Sequence, residues 1–131
     1  MKKVLLIDAN GSAEYLKSLK DLLKTPNREI FIACKESEIE QWLRNNKIDF
    51  VIFEPVYPGA NLINDKEVNY DFLAGAGYVL YKKIISITKA KIILYTTQSH
   101  DSLVKTGFPI NIMHLRKPVP TSNLINLLEC E

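Results

Sequence analysis

Short, nearly continuous apolar runs alternate along the chain with segments whose apolar residues recur every three or four positions. The runs cover residues 4–8, 29–33, 50–54, 92–96 and 110–115. They are rich in β-branched side chains and lack the polar alternation of a half-exposed strand, so they predict strands buried on both faces of a parallel sheet. Leu16, Leu19 and Leu23 mark a first helix, which ends near Thr25-Pro26 because proline cannot continue the hydrogen-bond ladder. Ser37-Glu38-Ile39-Glu40 opens a second with a capping-box pattern, and Ile39, Trp42 and Leu43 form its apolar side. Leu80, Ile84 and Ile87 define a third. Residues 99–105 predict a short fourth helix stopped by Gly107 and Pro109, and a fifth follows Pro118-Val119-Pro120 through Leu124, Leu127 and Leu128. Five strands strictly alternating with five helices predict a three-layer, doubly wound α/β domain.

The remaining composition narrows this further. The chain of 131 residues has no repeat, low-complexity stretch or linker, so residues 1–131 read as a single domain. Seventeen basic and fifteen acidic side chains leave a net charge of +2, which gives no electrostatic reason to expect nucleic acid or a membrane surface. The first apolar run stops at Asp8, too short for a signal peptide or a membrane span. Cys34 and Cys130 stand 96 residues apart without a CxxC partner, so neither a zinc site nor a disulfide framework is expected. Cys34 reads as a small buried hydrophobe and Cys130 as a terminal thiol. A cytoplasmic protein follows. One feature is unusual: the expected connection from Pro55 to Ala74 is 20 residues long, against roughly 2–6 for ordinary βα loops. It carries Tyr57, Leu62, Ile63, Val68, Tyr70 and Phe72, which suits a lid over a pocket or a partner-binding surface better than a solvated tether.

In doubly wound sheets, function gathers at the carboxyl ends of the strands, which here hold Asp8, Glu54, Thr96 and Lys117. Val4-Leu5-Leu6-Ile7-Asp8 resembles the first strand of bacterial response-regulator receiver domains, which an acidic pair ends. Asp49-Phe50-Val51-Ile52-Phe53-Glu54, with Pro58-Gly59 after it, resembles their third strand and phosphoacceptor loop. Ile92-Ile93-Leu94-Tyr95-Thr96-Thr97 is similar to the fourth strand with its signalling Thr or Ser, and Leu115-Arg116-Lys117-Pro118 to the Lys-Pro after the fifth. The resemblance covers nearly the whole chain, with the four motifs in order. It implies a flavodoxin-like five-stranded sheet in the order 2-1-3-4-5 and a cis peptide at Lys117-Pro118. It also implies a pocket in which two carboxylates hold Mg²⁺ while a third attacks a phosphoryl group, its charge stabilised by the metal and the lysine.

The sequence departs from that pattern at three positions. Glu54 stands where the phosphoacceptor is an aspartate, Ala9 where the metal pair has its second acid, and His114 where the family has its switch aromatic. An extra methylene moves a carboxylate by about 1.5 Å, and a misplacement of ~1 Å can slow a reaction about a hundredfold. With Asp8, Glu54 and Lys117 the pocket carries −1 rather than the family's −2, so Mg²⁺ is expected to bind weakly and no other cofactor is implied. Ordinary phosphotransfer is expected to be lost, with Glu54 reaching toward Lys117 and imitating either a resting or, in part, a phosphorylated aspartate.

Other readings of the same residues stand beside this one. Asp8 also fits a helix N-cap, a role for which Asn10 competes. Thr96 and Thr97 suit a strand for their shape alone, Lys117 also fits a solvated lysine, and His114 reads as an exposed ring near the sheet edge. Ser99-His100-Asp101-Ser102 is a helix cap rather than a catalytic triad, since adjacent helical residues do not face one another. Gly75-Ala76-Gly77 lacks the dinucleotide-binding pattern and suits a tight start to the third helix. The expected function is a non-enzymatic, stand-alone receiver-like module of a two-component or phosphorelay system. It would act on a separate protein: a histidine kinase, a phosphotransfer protein or a target enzyme. The sequence leaves its oligomeric state open. Alternatives are a receiver that still takes phosphate and a small flavodoxin-like enzyme or ligand-binding protein. Ala9-Asn10-Gly11-Ser12 offers too few hydroxyls for a flavin phosphate loop.

Overall fold

The computed structural model describes residues 1–8, 13–55 and 73–129. Strands β1 (Lys2–Ile7), β2 (Arg28–Ala33), β3 (Phe50–Phe53), β4 (Lys91–Thr96) and β5 (Met113–Arg116) form one parallel sheet in the order β2-β1-β3-β4-β5. Helices α1 (Ala13–Leu23), α2 (Glu36–Asn45), α3 (Leu73–Ile87), α4 (His100–Thr106) and α5 (Thr121–Glu129) alternate with them.

Period-2 alternation along the strands sorts the core into two halves. Val4 and Leu6 of β1 and Phe50 and Ile52 of β3 pack with Leu19 and Leu23 of α1 and Leu124 and Leu128 of α5. Leu5, Ile7, Val51 and Phe53 point the other way, onto Ile39 and Leu43 of α2, Leu80 and Ile84 of α3 and Leu103 of α4. This is the predicted three-layer, flavodoxin-like α/β architecture, and it explains why the strand runs read as continuously apolar: each residue is covered from one side or the other.

Four local expectations are corrected. The fifth strand starts at Met113 rather than 110, because residues 109–112 form a turn in which the Ile112 N–H donates to the Pro109 carbonyl at 3.1 Å. Ile110, which looked like strand, is 76% exposed. The capping box at Ser37 does not form either. Helix α2 begins at Glu36 after Lys35, which makes no side-chain cap, and the Glu38 carboxylate accepts the Cys34 N–H at 3.0 Å instead. Cys34 is half-buried rather than buried, and burial is the main cause that pushes its thiol pKa up. Helix α3 begins at Leu73, so residues 73–74 of the expected long connection are helical. Residues 56–72 of that connection, with Pro58-Gly59, lie outside the described residues, as do Ala9, Asn10 and Cys130.

The fourth helix follows its sequence signals closely. The Ser99 hydroxyl accepts the Ser102 N–H at 3.2 Å, the N-cap expected there. At the other end Gly107 adopts φ 128°, a conformation that side chains resist, and its N–H returns to the Val104 carbonyl. On the sheet's outer edge, the Trp42 ring packs on Phe31 at 4.6 Å and its indole N–H donates to the Ile32 carbonyl at 3.1 Å, occupying an acceptor on an otherwise open strand.

Gly77 lets α3 approach the end of β3. A Cβ there would stand 1.9 Å from the Pro55 carbonyl oxygen, a backbone atom that cannot move aside. Gly→Ala inside a helix ordinarily stabilises by up to about 1 kcal/mol. Overpacking against backbone outweighs that gain, so Gly77→Ala is expected to lower stability by about 2 kcal/mol in urea denaturation. An unchanged or raised midpoint would contradict the close approach.

Candidate functional site

Asp8 and Glu54 each come one residue after a strand, and backbone bonds fix both. The Asp8 N–H donates to the Ala33 carbonyl at 3.4 Å and the Glu54 N–H to the Ile7 carbonyl at 3.0 Å. The strand alternation continues through them, so both side chains belong to the α1/α5 side of the sheet. There they line a cavity of about 10 Å³, room for about one water, with Leu6, Leu16, Leu19, Ile52, Tyr95 and Lys117. Asp8 is only 7% exposed and Thr96 is fully buried. Lys117 arrives from the far side of β4: its N–H donates to the Thr96 carbonyl at 2.7 Å, and the Lys117-Pro118 peptide is cis, as the resemblance implied. Its ammonium lies 4.8 Å from the centre of the Tyr95 ring, a cation–π contact.

The four residues picked from the strand ends are therefore brought together. Glu54 is the perturbed one. Its pKa is pushed from the ordinary 4.5 up to about 7, chiefly because burial among aliphatic side chains removes water from the charged form. A hydrogen bond from Thr96 opposes that rise most, then the Lys117 ammonium, while Asp8 adds to it. Glu54 thus leans more on the Thr96 hydroxyl than on the lysine expected as its partner. Its Oε2 is buried without a hydrogen-bond partner among the described residues.

Thr96 passes this contact onward. Its Oγ1 accepts the Gln98 N–H at 3.3 Å, and the Gln98 backbone is in turn a hydrogen-bond partner of the His114 ring. His114 is half-buried, which corrects the exposed ring expected from its place on an edge strand. It stacks on His100 with ring centroids 6.3 Å apart and 24° between planes. Burial, then the charge of His100, lowers its pKa, so the neutral imidazole is favoured. Sequence reasoning missed the parts played by His100, Tyr95 and the α1 leucines. Tyr95 carried a signal, since an aromatic at a position alternating with Ile93 falls on the Asp8 and Glu54 side of the sheet.

Among the described residues no three His, Cys, Asp or Glu side chains gather as a metal-binding group. Among the described residues the side-chain donors lining the cavity are two carboxylates, one of which keeps its proton to about pH 7, beside an ammonium. That set does not fit a hard divalent cation, which needs several ionised oxygens.

No protein-family model and no curated protein sequence matches the chain. Solved structures do. A two-component response regulator from Clostridium difficile matches with a TM-score of 0.69 at 21% identity, covering 98% of this chain and 93% of that one. A CheY-like response regulator receiver domain from Methanospirillum hungatei JF-1 gives 0.72 at 18% identity, over 98% and 91%. The Vibrio cholerae chemotaxis protein CheY4 gives 0.66 at 18% identity, over 98% and 97%. The chain has the CheY-like receiver fold.

The raised pKa of Glu54 fixes the sign of a pH effect. Between pH 4.5, where the unfolded side chain ionises, and about 7, the folded protein holds the extra proton, so stability falls as pH rises across that window. Glu54→Gln removes this term. The variant is expected to be more stable than the parent at pH 8, by on the order of 2 kcal/mol after allowing for partial solvent access. The gap should close toward pH 4.5; a gap that stays constant with pH would contradict the assigned burial of the charge.

Proposed function

We propose that the chain is a receiver-type signalling module of a two-component or phosphorelay system, cytoplasmic and without enzymatic activity of its own. It acts by protein–protein contact and not by ordinary phosphotransfer. The observation that carries this reading is the assembly of Glu54, Thr96 and Lys117 at one end of a CheY-like sheet, with a carboxylate in the phosphoacceptor's place that is desolvated and tied to the threonine. A nucleophilic carboxylate must be ionised, and at neutral pH this one spends about half its time protonated. Mg²⁺ binding is weak on the same grounds, since both the Ala9 position and the protonated Glu54 remove oxygen donors.

The Thr96 contact offers a route from pocket to surface. Thr96, Gln98 and His114 link the carboxylate to α4 and β5, where Met113 on the edge strand and Ile110 in the turn before it are exposed. That face, with α5 beside it, is the docking surface for a separate partner: a histidine kinase, a phosphotransfer protein or a target enzyme. A cavity of about 10 Å³ suits a water and not an organic ligand, which favours this reading over a flavodoxin-like ligand binder.

Incubation with Mg²⁺ and acetyl phosphate followed by intact-mass analysis tests the proposal. The parent is expected to stay unmodified, while a Glu54→Asp/Ala9→Asp variant gains one phosphoryl unit, about 80 Da. An adduct on the parent would overturn the fixed-state reading. Two folded but unreactive proteins would overturn the receiver assignment itself.

A further inference from the structure

We infer that the stacked imidazoles of His100 and His114 form an acid-operated latch on the α4–β5 face. Taking up a proton turns the His114 ring out of the fold and releases Gln98, whose N–H meets Thr96. Use of the latch as a signal rests on the receiver-type reading; the movement of the ring does not.

The proton has a definite place to go. The Gln98 backbone favours the charged form of the His114 ring, as an accepting carbonyl does and a donating N–H does not. Nε2 has no hydrogen-bond partner among the described residues, so Nδ1 is the nitrogen that donates to that carbonyl. In the neutral ring Nε2 therefore holds a buried, unmet lone pair. Protonation converts it into a buried, charged N–H without an acceptor, which is far costlier.

The neighbours do not offset that charge. From α4, His100 faces the ring, while Asp101 and Lys105 are exposed and do not act on it. On β5 itself Arg116 acts on it, with its Nε donating to the Thr97 carbonyl at 3.2 Å. Leu94, beside it on β4, and residues 109–112 of the turn carry no titratable side chain. Helix α3, next to α4, brings Tyr78 and Tyr81 onto Phe108, and neither acts on the ring.

Plain packing is the competing explanation for a half-buried histidine: acid would then lower stability without moving the ring. The surroundings favour movement. Strand β5 is four residues long and lies at the sheet edge, with Met113 and Arg116 exposed, so water is one side-chain rotation away. Helix α4 has seven residues, and His100 Nε2 ties its start to the Ile110 carbonyl at 2.8 Å, in a turn that is itself exposed. Short elements of this kind open locally at less cost than the core. Without the ring, the 3.3 Å contact from the Gln98 N–H to Thr96 Oγ1 loses its support. Burial, then the charge of His100, holds the His114 pKa below the ordinary 6.5. The inward ring is thus fully favoured above that value and is lost as pH falls below it.

The test follows both histidines, the only two in the chain, by ring-proton and amide NMR from about pH 8 to about 5. Glu54 titrates at about 7 and reaches Gln98 through Thr96, so the Glu54→Gln protein is titrated alongside. In both proteins His114 is expected to titrate below 6.5. Its Overhauser contacts with the His100 ring should fade over the same range, with a matching shift of the Gln98 amide. His114→Phe keeps an aromatic ring without a titrating nitrogen and should lose that Gln98 shift. His100→Gln keeps an N–H for the Ile110 carbonyl and should raise the His114 midpoint. A ring that keeps its contacts with His100 below the midpoint would overturn the latch, as would a Gln98 shift that persists in His114→Phe. If His114→Phe does not fold, the ring contacts of the unmodified protein decide alone. The acetyl phosphate experiment bears on the receiver reading only, so the two can fail separately.

Discussion

Strands β1 and β3 occupy the middle of a parallel sheet with helices on both sides, so neither has a face on which a charge can be solvated. Residues 4–7 and 50–53 are each no more than 3% exposed. Polar chemistry is consequently expelled to the two ends of the strands. At the carboxyl end the first residues past the sheet are Asp8 and Glu54; at the amino end lie Lys2 and Lys3 of β1 and Asp49 before β3. The poles differ in how far the helices still cover them. Leu16 and Leu19 of α1 reach over Asp8 and Glu54 and keep water away, whereas Lys2 at the other end stands in solvent.

That coverage determines what Glu54 is. A glutamate crowning an open sheet end would ionise near its ordinary value and solvate freely. Here the longer side chain lies against aliphatic groups, and desolvation outweighs Thr96 and Lys117 together. The cation is also shared, since Lys117 stands over the Tyr95 ring. The pocket therefore holds a carboxyl group poised between two protonation states, in contact with the threonine that links it to Gln98.

The architecture was legible because continuous apolar runs and three-to-four spacing each answer to one burial pattern. The strand-end residues followed from the fold, since a parallel sheet allows few other places for charge. Local chemistry was harder. Ser37 and Glu40 had the spacing of a capping box, but Glu38 competes for a backbone N–H by reaching back to Cys34, an interaction set by how β2 hands over to α2. Ile110 and Ile112 carry strand-like side chains, yet Pro109 starts a turn there. Nor did composition reveal the cluster of lysines at the amino end, because Lys2, Lys47 and the Lys89–Lys91 segment are distant in sequence and meet only when the strands align.

His114 shows the same point from the other direction. Its residue type suggested a departure from the family's switch aromatic, and its edge strand suggested solvent. In the fold the ring is covered and stacked on His100, and both burial and the neighbouring imidazole favour the uncharged form. A neutral imidazole in a stack behaves much as an aromatic ring does, with one added property: it hydrogen-bonds to the Gln98 backbone, the same residue whose N–H meets Thr96. A phenyl ring in its place would pack but would not join that chain of bonds. Histidine at 114 thus gives the position an aromatic shape while wiring it to the pocket through two backbone groups of one residue.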